Sequence, residues 1–302
     1  MNVKAPRNTA ASVRQRLLNR ARSDQRPFNE LLQYYAMERF LFRLSQSAHA
    51  ERFILKGALM LRVWRSPELR PTMDIDFLGR TSNETASIVA QIRDILSAEV
   101  APDGLSFDPD TIQAERITED ADYEGIRIRF QGALDSARVN MQIDIGFGDV
   151  VFPGPELSEL PILLNSPAPR LLCYSRESAI AEKFEAMVKL RELNSRMKDF
   201  YDIWLLSRQF DFAGENMAEA IRLTFGRRGT PLSDDIVAFT EVFGEAKQAQ
   251  WAAFHRRLQQ DHVPTSFSEV VLSVREFLRP LTAALTSRKA TPVRWSAPGS
   301  WE

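Results

Sequence analysis

Two aspartates one residue apart, Asp74 and Asp76, alternate with the apolar Ile75 and Phe77. In an extended strand, positions i and i+2 point to the same face, so both carboxylates project together. Held on rigid backbone they repel each other unless a divalent cation sits between them, and Mg²⁺ prefers oxygen ligands of this kind together with substrate phosphates. A third carboxylate is available from Asp144, which shares the polar side of an alternating segment with Asn140 and Gln142. Three such acids can clamp two Mg²⁺ ions that stabilise the attacking and leaving oxygens of a phosphoryl-type transfer. Upstream, Lys56-Gly57-Ala58 follows the apolar Phe53-Ile54-Leu55. A glycine placed after a strand lets backbone N–H groups approach a phosphate, and a helix N-terminus behind it favours negative charge. Lys56 and Arg70 are the nearby cations able to neutralise a triphosphate. Each feature is common alone; their order along the chain points to metal-dependent nucleotidyl transfer.

The surrounding pattern predicts the elements that hold these groups. Residues 10–48 read as two helices separated near 24–27, where Pro27 intervenes. Residues 53–55 form a short buried strand, 58–64 a helix ended by Pro67, and 74–78 a strand. Helical periodicity returns over 85–100 through Ile88, Ile92, Ile95 and Leu96. Two alternating strands follow, at 126–130 and 139–145, with the spacer 132–136 short enough for a hairpin. Residues 153–169 form a proline-punctuated connection. From Ser175 the chain is helical, with stripes such as Ile180, Phe184, Met187 and Val188, and further helices expected at 216–225, 233–243, 246–260 and 267–285. Residues 291–302 are turn-rich but carry Trp295 and Trp301, so they are expected to dock. The fold class expected is α+β: a mixed sheet flanked by helices over 1–160, and a helical C-terminal half over 161–302 that completes a nucleotide cleft.

Composition bounds the alternatives. The 302 residues include 39 Lys+Arg against 40 Asp+Glu, with three His and one Cys. Cys173 alone excludes an internal disulfide or a multi-cysteine metal site, and three histidines argue against a histidine-rich centre, so any metal must be held by oxygen. No apolar run approaches the ~18–20 residues needed to span a bilayer, and a cytoplasmic location is expected. Charge is uneven. Residues 1–52 carry ten Lys/Arg and four Asp/Glu, a stretch able to attract an anionic polymer. Residues 84–124 carry eleven acids and two bases, and read as a solvated surface excursion. The acid-free first 22 residues have the composition of a mitochondrial transit peptide, yet Val13, Leu17, Leu18 and Ala21 at helical spacing favour a helix of the folded domain.

With these residues in view, a resemblance can be stated. The blocks Phe53-Ile54-Leu55-Lys56-Gly57-Ala58 and Arg70-Pro71-Thr72-Met73-Asp74-Ile75-Asp76-Phe77 resemble the first motif of AbiEii/AbiGii-type nucleotidyltransferase toxins. That group lies within the DNA polymerase beta-like superfamily and includes the mycobacterial MenT toxins. Lys183-Phe184-Glu185-Ala186 and Lys198-Asp199-Phe200-Tyr201-Asp202 are similar to the family's later helical motifs. The resemblance implies that Asp74 and Asp76 bind metal and that Gly57 and Ala58 stand where a Gly-Gly or Gly-Ser wraps the triphosphate. Ala58 departs from that pattern, so any grip there must use main chain. It further implies that Lys183 meets the nucleotide phosphates and that Lys198, Asp199 and Asp202 form the last motif. Lys198 and Asp202 are four apart and Asp199 and Asp202 three apart, hence neighbours on a helix. Lys189, Arg191 and Arg196 read as plain exposed cations.

The function implied is a Mg²⁺-dependent nucleotidyltransferase toxin of a bacterial toxin–antitoxin or phage-defence system. It would transfer a nucleotide from a nucleoside triphosphate to an acceptor, the 3′ end of tRNA in related toxins. On the reading of the residues themselves, Asp144, or a metal-bound arrangement around it, would help deprotonate the acceptor oxygen. A winged-helix antitoxin is the implied partner. The alternatives are the same fold acting on a protein hydroxyl or a small molecule, and a non-catalytic binding module.

Overall fold

The computed structural model describes residues 9–66, 71–119, 123–287 and 289–302. Arg70, expected near the phosphates, lies outside the described residues. The chain divides into two units: residues 1–148 with 156–173, and residues 149–155 with 174–302.

The first unit opens with α1 (Thr9–Ser23) and α2 (Phe28–Gln46), the two N-terminal helices expected, with Pro27 immediately before the second. There follow β1 (Phe53–Lys56), a 3₁₀ turn over Gly57–Leu59, α3 (Met60–Val63), β2 (Ile75–Gly79) and α4 (Thr85–Leu96). Next come β3 (Leu105–Glu119), β4 (Tyr123–Leu134), β5 (Ala137–Phe147), β6 (Glu156–Glu159) and β7 (Arg170–Cys173). The seven strands form one mixed sheet in the order β3-β4-β5-β2-β1-β7-β6. The pairs β2–β5 and β1–β7 are parallel and the others antiparallel.

Alternation along β4 and β5 divides the sheet into two faces. Ile126, Ile128, Phe130, Met141, Ile143 and Ile145 are buried. So are Leu31, Leu32, Tyr35, Phe40 and Leu44 of α2. Phe40 of α2 packs on Phe130 of β4 at a ring separation of 5.7 Å. The opposite face carries Arg127, Arg129, Asn140, Gln142 and Asp144.

Two expectations about connecting stretches fail in this unit. The acid-rich stretch is solvated but is no loop: residues 105–119 form the long edge strand β3, paired with β4 on either side of 109–112. Pro109 is tolerated because the register shifts between Asp108 and Gln113, the bulged edge position that suits proline. The acids serve that edge, since charged edge strands resist pairing with other chains. The connection 153–169 also contains a strand, β6, which caps the other edge of the sheet through β7.

The second unit contains α5 (Arg176–Leu190), α6 (Met197–Gln209), β8 (Phe212–Ala213), α7 (Gly214–Arg228), α8 (Glu241–Ala246), α9 (Gln248–Leu258), α10 (Phe267–Ser287), β9 (Arg294–Ser296) and β10 (Ser300–Trp301). Ser175 caps α5 by accepting a hydrogen bond from the Ser178 N–H. The helix expected over 233–243 does not form. That stretch holds a 3₁₀ turn at Val237–Phe239 and then α8, which starts at the Thr240 cap. The C-terminal residues dock as expected: β9 and β10 form a small sheet with β8. The Trp295 indole N–H donates to the Ser207 carbonyl, and that of Trp301 to the Phe277 carbonyl. Among the described residues no helix is long and apolar enough to cross a membrane.

Candidate active site

Cross-strand register brings the acids together. On the parallel pair β2–β5, Asp76 stands opposite Asp144, and Asp74 immediately precedes β2. One oxygen of each of Asp74, Asp76 and Asp144 lies within 4.8 Å of the others, and among the described residues these three form the group able to share an ion. All the donors are carboxylate oxygens, the hard ligands that suit Mg²⁺ or a similar divalent cation. The three acids would hold such an ion, so the donor chemistry fits.

Asp74 is held by its own loop. The Thr72 hydroxyl donates to its carboxylate, and the Thr72 N–H donates to the Tyr34 hydroxyl at 3.2 Å. From α2, the buried Gln33 amide donates to the carbonyls of Met73 (3.0 Å) and Asn140 (3.1 Å), tying the approach to β2 onto β5. Neither Gln33 nor Tyr34 was singled out from sequence, because both look like ordinary members of a helix.

Gly57 has a second reason to be glycine. Its φ is +73°, and a Cβ built there would fall 1.8 Å from Oδ2 of Asp76. The turn therefore fits against the Asp76 carboxylate. Ala58 is buried, so it offers no side-chain surface to a ligand. The helix expected after the turn is only four residues long, too short to supply much N-terminal dipole. Lys56 is the cross-strand partner of Asp76 on β1.

Asp144 is engaged by a residue the sequence reading passed over. Arg127, opposite it on β4, grips it with two bonds, Nε to Oδ1 at 2.7 Å and Nη2 to Oδ2 at 2.6 Å. That hydrogen bond holds the Arg127 guanidinium above its ordinary pKa. Beside the triad lies a cavity of about 530 Å³ whose lining includes Asp74, Met73, Gln113, Arg129, Asn140 and Gln142.

The second unit holds the other expected residues. Lys183 on α5 lies 3.0 Å from Asp202 and 3.6 Å from Asp199, both on α6. Asp199 is wholly buried and Asp202 is 3% exposed, so this is no solvated surface cluster. Arg196, expected to be plainly exposed, instead reaches Asp199 at 2.6 Å. Lys198 is exposed on α6; the lysine that meets Asp202 is Lys183.

A family model described as "Nucleotidyl transferase AbiEii toxin, Type IV TA system" matches residues 39–273, a span that includes both groups of acids. The comparison with curated proteins gave no match. Two solved structures from Helicobacter pylori are similar at the level of the chain trace. One, titled as a nucleotidyltransferase, has 12% identity and a TM-score of 0.47, covering 86% of this chain and 98% of its own. The other, JHP933, has 11% identity and a TM-score of 0.46, covering 83% and 94%.

Proposed function

The chain belongs to the AbiEii nucleotidyltransferase toxin family, and on that premise we propose that it moves a nucleotide from a nucleoside triphosphate to the 3′ end of tRNA, using Mg²⁺ held by Asp74, Asp76 and Asp144. The observation that carries the proposal is the gathering of these three carboxylates within 4.8 Å. Bound there, Mg²⁺ would supply positive charge for the phosphate oxygens of the reaction. The protein's own part is positioning. Gln33 and Thr72 fix the Asp74 loop, and Gly57 leaves room for the Asp76 carboxylate. Asp144 is the acid assigned to take the acceptor proton.

The cavity beside Asp74 gives the acceptor a polar floor, with the amides of Gln113, Asn140 and Gln142 able to hydrogen-bond a nucleoside. Main chain at Lys56, Gly57 and Ala58 faces the triphosphate in this reading. Lys183, buttressed by Asp202 and Asp199, contributes charge for its phosphates, with Lys198 and Arg70 as outer cations. Blocking aminoacylation would halt translation. A winged-helix antitoxin, a toxin–antitoxin or phage-defence setting and a cytoplasmic site of action follow from the same reading.

The acceptor is tested by offering wild-type protein each labelled triphosphate with intact tRNA, periodate-oxidised tRNA and total cell protein. Label on intact tRNA alone, lost in Lys183→Met, supports the assignment. Label on protein, on oxidised tRNA, or on none of the three refutes the 3′ end as acceptor.

A further inference from the structure

A row of charges crosses the site-bearing face of the sheet in register. Glu115 on β3 stands opposite Arg127 on β4, Arg127 opposite Asp144 on β5, Asp144 opposite Asp76 on β2, and Asp76 opposite Lys56 on β1. Two like charges meet in the middle of this row, with a cation on either side. Hydrogen bonds and ion pairs close part of the row into a ring. Arg127 binds Asp144 at 2.6 Å, Gln142 reaches Asp144 at 3.5 Å, and Arg129 donates to Gln142 at 3.3 Å. Glu115 then meets Arg129 at 2.8 Å and Arg127 at 4.0 Å.

Arg127 uses both oxygens of Asp144 in a bidentate fork, the strongest form of carboxylate pairing. The same two oxygens are what Asp144 would present to a divalent cation. A guanidinium and a divalent cation on one carboxylate repel each other, and Asp144 is only 8% exposed, so water screens them poorly. Arg127 also has somewhere else to go: Glu115 is within ion-pair range of its Nη1.

We propose that Arg127 is a resident counter-cation of the acidic triad, a positioning residue that competes with the divalent cation for Asp144 and moves its pairing to Glu115 when the ion loads. The inference rests on the reading of the triad as the metal site. Without metal, Arg127 offsets the mutual repulsion of the acids and keeps Asp144 in place. Loading the ion costs the Arg127–Asp144 fork, so the site binds metal more weakly than three free carboxylates would. Arg127 thereby sets the metal concentration at which the site fills.

The test is calorimetric titration of Mn²⁺ into the full chain at low salt, without nucleotide, for wild type, Asp76→Asn, Arg127→Gln and Arg127→Lys. Asp76→Asn is expected to abolish binding. Arg127→Gln is expected to tighten it about tenfold, as loss of a competing charge at a poorly screened site implies. Arg127→Lys keeps a charge but loses the fork, and falls between; it carries the test if Arg127→Gln fails to fold. The unloaded Arg127→Gln protein should also melt lower than wild type and gain more from Mn²⁺. Binding unchanged or weakened in both Arg127 variants, with Asp76→Asn still null, would overturn the competition and leave Arg127 as a prop for Asp144. If Asp76→Asn binds Mn²⁺ like wild type, the triad is not the metal site and the inference falls with it.

Discussion

At the level of single residues, the site depends on small groups that leave space for charged ones. Gly57 is the sharpest case, since both its positive φ and the position of Asp76 exclude a side chain. Gly57→Ala is expected to push Asp76 out of the triad. In a urea melt it should cost roughly 1–3 kcal/mol, the usual size of such backbone strain, while Mn²⁺ binding and transfer activity fall to the level of Asp76→Asn. Activity near wild type would show that Asp76 can move without consequence. The triad itself was legible in the sequence, because alternation in two strands fixes which residues share a face. Arg127 was not. In Ile126-Arg127-Ile128-Arg129 its charge reads as an ordinary solvated face, and only the β4–β5 register reveals that it meets Asp144. Arg196 was misread for a similar reason: its partner Asp199 is buried by the fold, which spacing alone does not disclose.

Among the elements, buried charge does much of the positioning. On α2, Glu38 accepts from the Leu163 N–H at 2.7 Å, and Arg39 donates to the Pro167 carbonyl at 2.7 Å, so the helix holds the connection between β6 and β7. Burial lifts the Glu38 carboxyl above its ordinary range, against the opposing pull of Arg39. The folded chain thus binds this proton more tightly than the unfolded chain. The stability it contributes is full below the ordinary carboxylate range and is lost as pH rises through the folded value. Urea melts from acidic to neutral pH should show wild type losing stability relative to Glu38→Gln; parallel curves would contradict this. In the second unit, Arg228 of α7 meets Asp149 at 3.1 Å and Glu185 at 2.9 Å, with Glu182 at 3.6 Å. Arg228→Met strands these carboxylates, and is expected to cost about 3–5 kcal/mol in a denaturant melt, as removal of one partner from a buried ion pair does. A cost below about 1 kcal/mol, the value of an exposed pair, would show the network to be solvated. The longer helices were legible from periodicity, whereas those expected over 58–64 and 233–243 were not borne out at that length. β3 was missed because acids and Pro109 obscure its alternation, and β6 because its four residues Glu-Leu-Ser-Glu carry almost no apolar signal.

At the scale of the whole molecule, each unit has its own charged cluster: the three acids in the sheet-bearing unit, and in the helical unit a lysine fixed by two buried aspartates. Family membership makes the chain a nucleotidyltransferase, and the function proposed for it puts the transfer at the triad. The direct measurement follows the fate of label from triphosphate carrying it at the α or the γ phosphorus, offered with total RNA and Mg²⁺ to wild type and to Asp76→Asn and Asp144→Asn. Label from the α position alone should appear in RNA, vanish on chelation of the metal, and fall at least about a hundredfold in both variants, the order expected when a group that stabilises the transition state is removed. Incorporation of γ label, or α-label transfer that survives loss of Asp76 or Asp144, would contradict it.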